Sequence, residues 1–321
     1  MQSLWLENQN LTFREDVPIP TPGKDQALIR LLLAGVCSTD LELERGYYPF
    51  SGIPGHEFVG EVESSPDDPT WIGKRVVGEI NIACGKCQTC MIGLPRHCEN
   101  RNTLGIHDWN GAFAEYLILP LSNLHVVPGN VSTEMAVFTE PLAAANEILE
   151  QTAILPSDRV LIIGAGRLGF LAAMVIQQTG CALEVVVRHE KQNTLMRGLN
   201  IHAIFEYNIG GKKYDLVVEA TGSIDGFSLA NKCVRPRGRI ILKSTYKGSA
   251  EVDLSRIVVD EVTLIGSRCG SFEPALQLLG KGRVDPRPLI DAVYPLSLGI
   301  HAFEEASRPG VLKVLLNPAQ N

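Results

Sequence analysis

The stretch Gly55-His56-Glu57-Phe58-Val59-Gly60 sets an imidazole beside a carboxylate between glycines. Cys37 stands nineteen residues before His56, and Glu140 lies far downstream in Thr139-Glu140-Pro141-Leu142-Ala143. Thiolate, imidazole and carboxylate are the ligand types zinc takes, and a catalytic zinc needs three protein ligands with one position left open. Taken singly, each residue has an ordinary reading. A lone cysteine is a small buried hydrophobe, a lone histidine a hydrogen-bonded bystander, and Glu140-Pro141 the start of a helix. If His56 and Glu57 share a strand they face opposite ways. Glu57 is then a ligand only after a local adjustment, or supports the site from outside the ligand shell. Thr39 shares a side with Cys37 if that segment is extended, which would let its hydroxyl meet a reacting oxygen and pass on its proton. Asp40 either accepts the second N–H of His56 and orients the ring, or caps a turn or helix.

Cys84-x-x-Cys87-x-x-Cys90, followed by seven residues and Cys98, is the most specific local pattern. Four thiolates at this spacing close a tetrahedral zinc site and leave no room for substrate, so such an ion holds a loop. An iron–sulfur cluster is the competing use. A third pattern is Gly164-Ala165-Gly166-Arg167-Leu168-Gly169, directly after Val160-Leu161-Ile162-Ile163. A glycine-rich turn between a buried strand and a helix is the setting in which a dinucleotide pyrophosphate binds. Gly164 makes the turn, Gly166 admits the phosphate and Gly169 lets helix and strand pack. The next strand candidate, Glu184 to Val187, ends at Arg188 and His189, where an NAD site carries an acid for the ribose 2′-hydroxyl. A guanidinium there suits a 2′-phosphate, and the reading leans to NADP over NAD. Its ordinary alternative is a solvated loop arginine.

The elements that must position these residues change character along the chain. The first part reads as β-rich, with strands at Ala27 to Leu33, Phe58 to Glu63, Arg75 to Ile80 and Ala114 to Leu119. Apolar residues recur at helical spacing from Glu134 to Leu149. From Arg159 strands and helices alternate, as in a parallel sheet with crossovers: Val160 to Ile163, Leu168 to Thr179, Glu184 to Val187, Leu216 to Glu219, Arg239 to Leu242 and Val262 to Ile265. The tail offers helices at Glu273 to Leu279 and Leu298 to Ser307 and a strand at Val311 to Leu316. At 321 residues the chain has room for two cores. A net charge of -7 argues against a general binder of nucleic acid or anionic membrane. The start lacks a signal-peptide pattern, and the longest apolar run is interrupted by Arg167, so a soluble cytoplasmic protein is expected. Eight cysteines in that setting point to metal rather than disulfides.

Together these segments resemble the zinc-containing medium-chain dehydrogenase/reductase family, nearest its sorbitol and threonine dehydrogenase-like branch. The likeness spans nearly the whole chain. It also takes in Gly73-Lys74-Arg75-Val76, Gly111-Ala112-Phe113-Ala114-Glu115-Tyr116, Val218-Glu219-Ala220-Thr221-Gly222 and Gly266-Ser267-Arg268. It implies an α/β protein: residues 1–141 and 268–321 as a GroES-like β-rich catalytic domain, with a zinc lobe at about 81–100, and 142–267 as a Rossmann domain. By that likeness Cys37 and His56 are ligands of a catalytic zinc. Glu57 and Glu140 are ligands or exchange with water at the ion, and Thr39 contacts the reacting oxygen. Cys84, Cys87, Cys90 and Cys98 hold a structural zinc, making two ions per chain. Gly164 to Gly169, Arg188, His189, Thr221 and Arg268 would line the cofactor site. Relatives carry a histidine where this chain has Glu42, so Glu42 either relays protons, meets a cationic substrate group or is a helix surface residue. Tyr47, Phe50 and Trp109 are pocket-wall candidates, or core.

The expected reaction is reversible oxidation of a polyol, sugar or secondary alcohol by NAD(P), in a homodimer or homotetramer. The alternatives are a zinc-free quinone or enoyl reductase of the same superfamily and a nucleotide-binding sensor without turnover. The open ligand set argues against both.

Overall fold

The structure is a computed structural model that describes residues 1–245 and 251–320. The chain divides into two compact units, 1–140 with 272–321, and 141–271.

The first unit is built on a seven-stranded sheet. Its long central strand, Gln26–Gly35, pairs antiparallel with Glu57–Ser64, with Tyr116–Pro120 and with the C-terminal strand Lys313–Asn317. Alternating buried and half-buried residues along Gln26–Gly35 give it one core face. An N-terminal hairpin, Ser3–Glu7 with Asn10–Arg14, turns through Asn8 and Gln9, both with positive φ. The first helix, Ser38–Glu44, follows the central strand directly. The condition attached to Thr39, an extended Cys37–Thr39 segment, is not met: Asp40 accepts the Cys37 N–H at 2.8 Å, an N-terminal cap that starts the helix at once.

The second unit is a six-stranded parallel sheet. The strand order is His202–Phe205, Ala182–Val187, Arg159–Ile163, Tyr214–Glu219, Val234–Leu242, Thr263–Gly266. By order of appearance this is 3-2-1-4-5-6, the doubly wound Rossmann order, with the chain reversing direction beside Arg159–Ile163. Leu161, Val217 and Ile240 on adjacent strands are wholly buried in its core. The helical run expected from Glu134 to Leu149 is two helices, Thr133–Ala136 and Thr139–Gln151. The Thr139 hydroxyl donates to the Ala136 carbonyl at 2.7 Å where the first ends. Pro141 sits in the first turn of the second, where no N–H is needed. No helix among the described residues is long and apolar enough to cross a membrane.

Candidate active site

The segment before His56 is not strand, which removes the expected opposition between His56 and Glu57: only Glu57 begins the strand Glu57–Ser64. Gly55, at φ +96°, makes the bend, and a Cβ on it would strike the Phe113 ring. Residues 111–113 clamp this bend through the N–H groups of Ala112 and Phe113, which donate to the Gly55 and Pro54 carbonyls at 2.9 and 3.0 Å. The two side chains can therefore converge. One ligand atom each from Cys37, His56 and Glu57 lies within 4.8 Å of the others. Glu140, in the first turn of Thr139–Gln151, is outside that group.

Asp40 caps the helix and also lies beside the His56 ring. One carboxylate oxygen caps the helix through Cys37; the other lies 3.2 Å from His56 Nδ1 without hydrogen-bond alignment. The contact leaves Nε2 as the nitrogen an ion could use. Asp40 is fully buried and His56 nearly so. Burial alone would depress the imidazole pKa, but the charges of Asp40 and Cys37 outweigh it and hold the pKa well above its usual value. Thr39 Oγ1 lies 3.8 Å from Cys37 Sγ. Glu42 points to Arg45, with its carboxylate 2.7 Å from the guanidinium at the surface. Trp109 donates its indole N–H to the Ile118 carbonyl at 2.9 Å, and Tyr47 packs edge-on against Tyr48.

Sequence reading missed Lys313. Its ammonium is ion-paired with the Glu57 carboxylate deep in the unit, both residues being at most 2% exposed. The signal was a lysine inside Val311-Leu312-Lys313-Val314-Leu315-Leu316, a run otherwise apolar. Gly35 is paired with Glu57 across the sheet, and a Cβ on it would lie 2.4 Å from the carboxylate oxygen. Gly35 thus leaves the room that the pair occupies. Cys37, His56 and Glu57 bring a sulfur, an imidazole and a carboxylate together, with the Asp40 carboxylate beside the imidazole. These are the ligand types zinc takes, so the donor set fits zinc in its chemistry.

The four-cysteine lobe also fits zinc. Sγ separations are 3.5 Å for Cys87–Cys90 and Cys84–Cys98 and 3.7 Å for Cys87–Cys98. A tetrahedron with Zn–S of about 2.3 Å has edges of about 3.8 Å. N–H groups of Lys86 and Cys87 point at Cys84 and lower its thiol pKa to about 6. Among the described residues no cysteine forms a disulfide.

In the second unit Gly164 takes φ +108° and packs on the Ala220 carbonyl, and a Cβ on Gly169 would sit 1.8 Å from the Gly164 carbonyl oxygen. Gly166 caps the helix Arg167–Gln177 and has nothing within 4 Å of its Cβ position. Open space before a helix N-terminus is what a pyrophosphate needs, so the turn could hold a dinucleotide. Arg188 is exposed, with no ion-pair partner among the described residues. Thr221 turns inward: its N–H and hydroxyl both donate to Glu219 at 2.6 Å. The Arg268 carbonyl accepts from Lys243 Nζ at 2.8 Å.

A glycine-rich turn on a parallel sheet, with two zinc-type donor sets in a separate β-rich unit, defines the class of nicotinamide-dependent, zinc-type dehydrogenases. Comparison with known proteins agrees. Residues 23–129 match the alcohol dehydrogenase GroES-like domain, and residues 168–281 match the zinc-binding dehydrogenase domain. The chain is 32% identical to the L-threonine 3-dehydrogenase of Stenotrophomonas maltophilia over 78% of its length and 79% of the relative's. It is 29% identical to the sorbitol dehydrogenase of Halalkalibacterium halodurans over 95% of both chains. An alcohol dehydrogenase from Escherichia coli CFT073, solved with NADH, superposes with a TM-score of 0.92 at 26% identity over 99% of both chains. The chain belongs to the zinc-type alcohol dehydrogenases of the medium-chain dehydrogenase/reductase family, near the sorbitol and threonine dehydrogenase branch. It is an NAD(P)-dependent oxidoreductase acting on CH–OH groups.

Proposed function

We propose that the chain oxidises a polyol or other secondary alcohol reversibly, preferring NADP(H), at a zinc site held by Cys37 and His56. The observation that carries this reading is the convergence of Cys37, His56 and Glu57 within 4.8 Å of one another. Glu57 and Glu140 would complete the ligand set or exchange there with water, and Lys313 is ion-paired with the Glu57 carboxylate. When bound, zinc would supply Lewis acidity toward the alcohol oxygen and the nicotinamide a hydride acceptor. Asp40 fixes the His56 ring. The Thr39 hydroxyl takes the alcohol proton and starts its path to solvent. Cys84, Cys87, Cys90 and Cys98 hold a second, structural zinc that takes no part in the chemistry. The exposed guanidinium of Arg188 supports the NADP preference. The sorbitol dehydrogenase likeness over 95% of the chain supports a polyol as substrate. The active form is a homodimer or homotetramer in the cytoplasm.

Elemental analysis tests the metal assignment. Two zinc ions per chain are expected in the wild type and one in Cys37→Ser. One ion in both, after reconstitution with zinc, would leave only the four-cysteine lobe metallated and sink the reading. A panel of polyols, sugar alcohols and amino alcohols with NADP then identifies the substrate.

A further inference from the structure

Gln192 bridges two loops that lie apart along the chain. Its side-chain oxygen accepts the N–H groups of Arg188 at 2.9 Å and of His189 at 3.1 Å. Its side-chain nitrogen donates to the Ala165 carbonyl at 2.7 Å, twenty-seven residues away. Ala165 lies inside the glycine-rich turn; Arg188 and His189 close the neighbouring strand Ala182–Val187. The bond from His189 belongs to a capping box that starts the helix Glu190–Gly198, and the bond from Arg188 extends it by one residue toward the strand. The donor bond does not: it leaves the helix and ties it to the phosphate turn. Ala165 is 3% exposed and Gln192 is half-buried, so the tie is sheltered from competing water, whereas Arg188 is exposed.

A dinucleotide bound along this edge meets the turn with its pyrophosphate and the strand end with its adenosine ribose. The distance between those contacts is fixed within the ligand, so the protein must hold the loops at the matching separation. We propose that Gln192 is a positioning residue for nucleotide selectivity: it sets the Arg188 backbone against the Ala165 turn and so aims the guanidinium at a ribose 2′-phosphate. The inference rests on the NADP reading of Arg188. Gln192 touches no reacting atom; its effect is carried by Arg188, whose long side chain magnifies small shifts of its backbone.

The test is nucleotide binding by the zinc-loaded protein, read as dissociation constants for NADPH and NADH from fluorescence titration. Gln192→Met removes all three bonds at similar volume and no charge. Gln192→Glu keeps both acceptor bonds and loses only the donor to Ala165. Both variants are expected to weaken NADPH about tenfold and NADH less than about twofold. The kcat at saturating NADP should be unchanged. Arg188→Ser serves as the reference for lost 2′-phosphate recognition.

A wild-type ratio in Gln192→Glu would mean that Gln192 only caps the helix, and overturns the proposal. A shift in Gln192→Glu but not in Gln192→Met would be an effect of the added charge, and overturns it too. Equal weakening of both nucleotides would mark a merely structural role. If Arg188→Ser loses selectivity while both Gln192 variants keep it, this inference alone fails. If the wild type shows no NADPH preference to lose, the reading of Arg188 fails with it.

Discussion

Glu57 and Lys313 are 1% and 2% exposed, and neither charge is tolerable there without the other. Removing one partner of a buried pair strands the second charge. Lys313→Met is therefore expected to destabilise the zinc-depleted protein by about 3 kcal/mol, read from urea unfolding. The double variant Glu57→Gln with Lys313→Met should recover most of that loss. Equal destabilisation in the single and double variants would show that packing of the lysine stem, rather than the charge pair, carries the effect. The Cβ position on Gly35 lies 2.4 Å from the Glu57 carboxylate oxygen, which an ion pair already holds in place. Gly35→Ala should therefore displace Glu57, and zinc analysis should show partial loss of one ion while the four-cysteine lobe stays loaded.

At the scale of elements, the turn from Arg159–Ile163 into Arg167–Gln177 depends on close approach. A Cβ at position 169 meets backbone, the Gly164 carbonyl oxygen at 1.8 Å, so no rotamer change relieves it. Gly169→Ala must push the helix off the strand. NADH and NADPH should both bind at least about tenfold more weakly, and unaltered titration curves would count against the nucleotide assignment of this turn. The end of the strand Ala182–Val187 acts differently. Arg188→Asp places a carboxylate where the guanidinium stood, so NADPH should weaken far more than NADH. The reverse order, or a wild-type preference for NADH, would return Arg188 to the role of a solvated loop residue.

For the molecule as a whole, the proposed structural zinc would couple metal binding to the fold. Cys98 is wholly buried in its lobe, and its Sγ accepts the Cys84 N–H at 3.4 Å. Cys98→Ser should cost one zinc per chain and loosen the lobe, since a structural zinc contributes folding free energy directly. Limited trypsin digestion should then cut after Lys86, Arg96 or Arg101 well before the rest of the chain. Digestion at the wild-type rate would mean that the lobe folds without its ion. Sedimentation at micromolar protein distinguishes the expected dimer or tetramer from a monomer.

What was legible in the sequence shares one property: its parts are close together along the chain. Fourteen residues separate Cys84 from Cys98, and the glycine turn occupies six, so local spacing nearly dictates their geometry. The alternating strands and helices after Arg159 were equally readable, because buried parallel strands are short apolar runs. Other features required tertiary structure. Lys313 lies 256 residues from Glu57, and the two meet only because Glu57–Ser64 and Lys313–Asn317 both pair with Gln26–Gly35 in one register. Whether the segment after Cys37 is extended or helical is decided by the Asp40 carboxylate, which accepts the Cys37 N–H and starts the helix at Ser38. Glu134 to Leu149 reads as one periodic helix, because periodicity records a buried face and not the break at which Thr139 bonds back to Ala136. The ligand types and the nucleotide turn are properties of the sequence by itself. Which carboxylate closes on Cys37 and His56, and which cation opposes it, is decided by sheet register, since pairing between distant strands leaves no spacing along the chain to read.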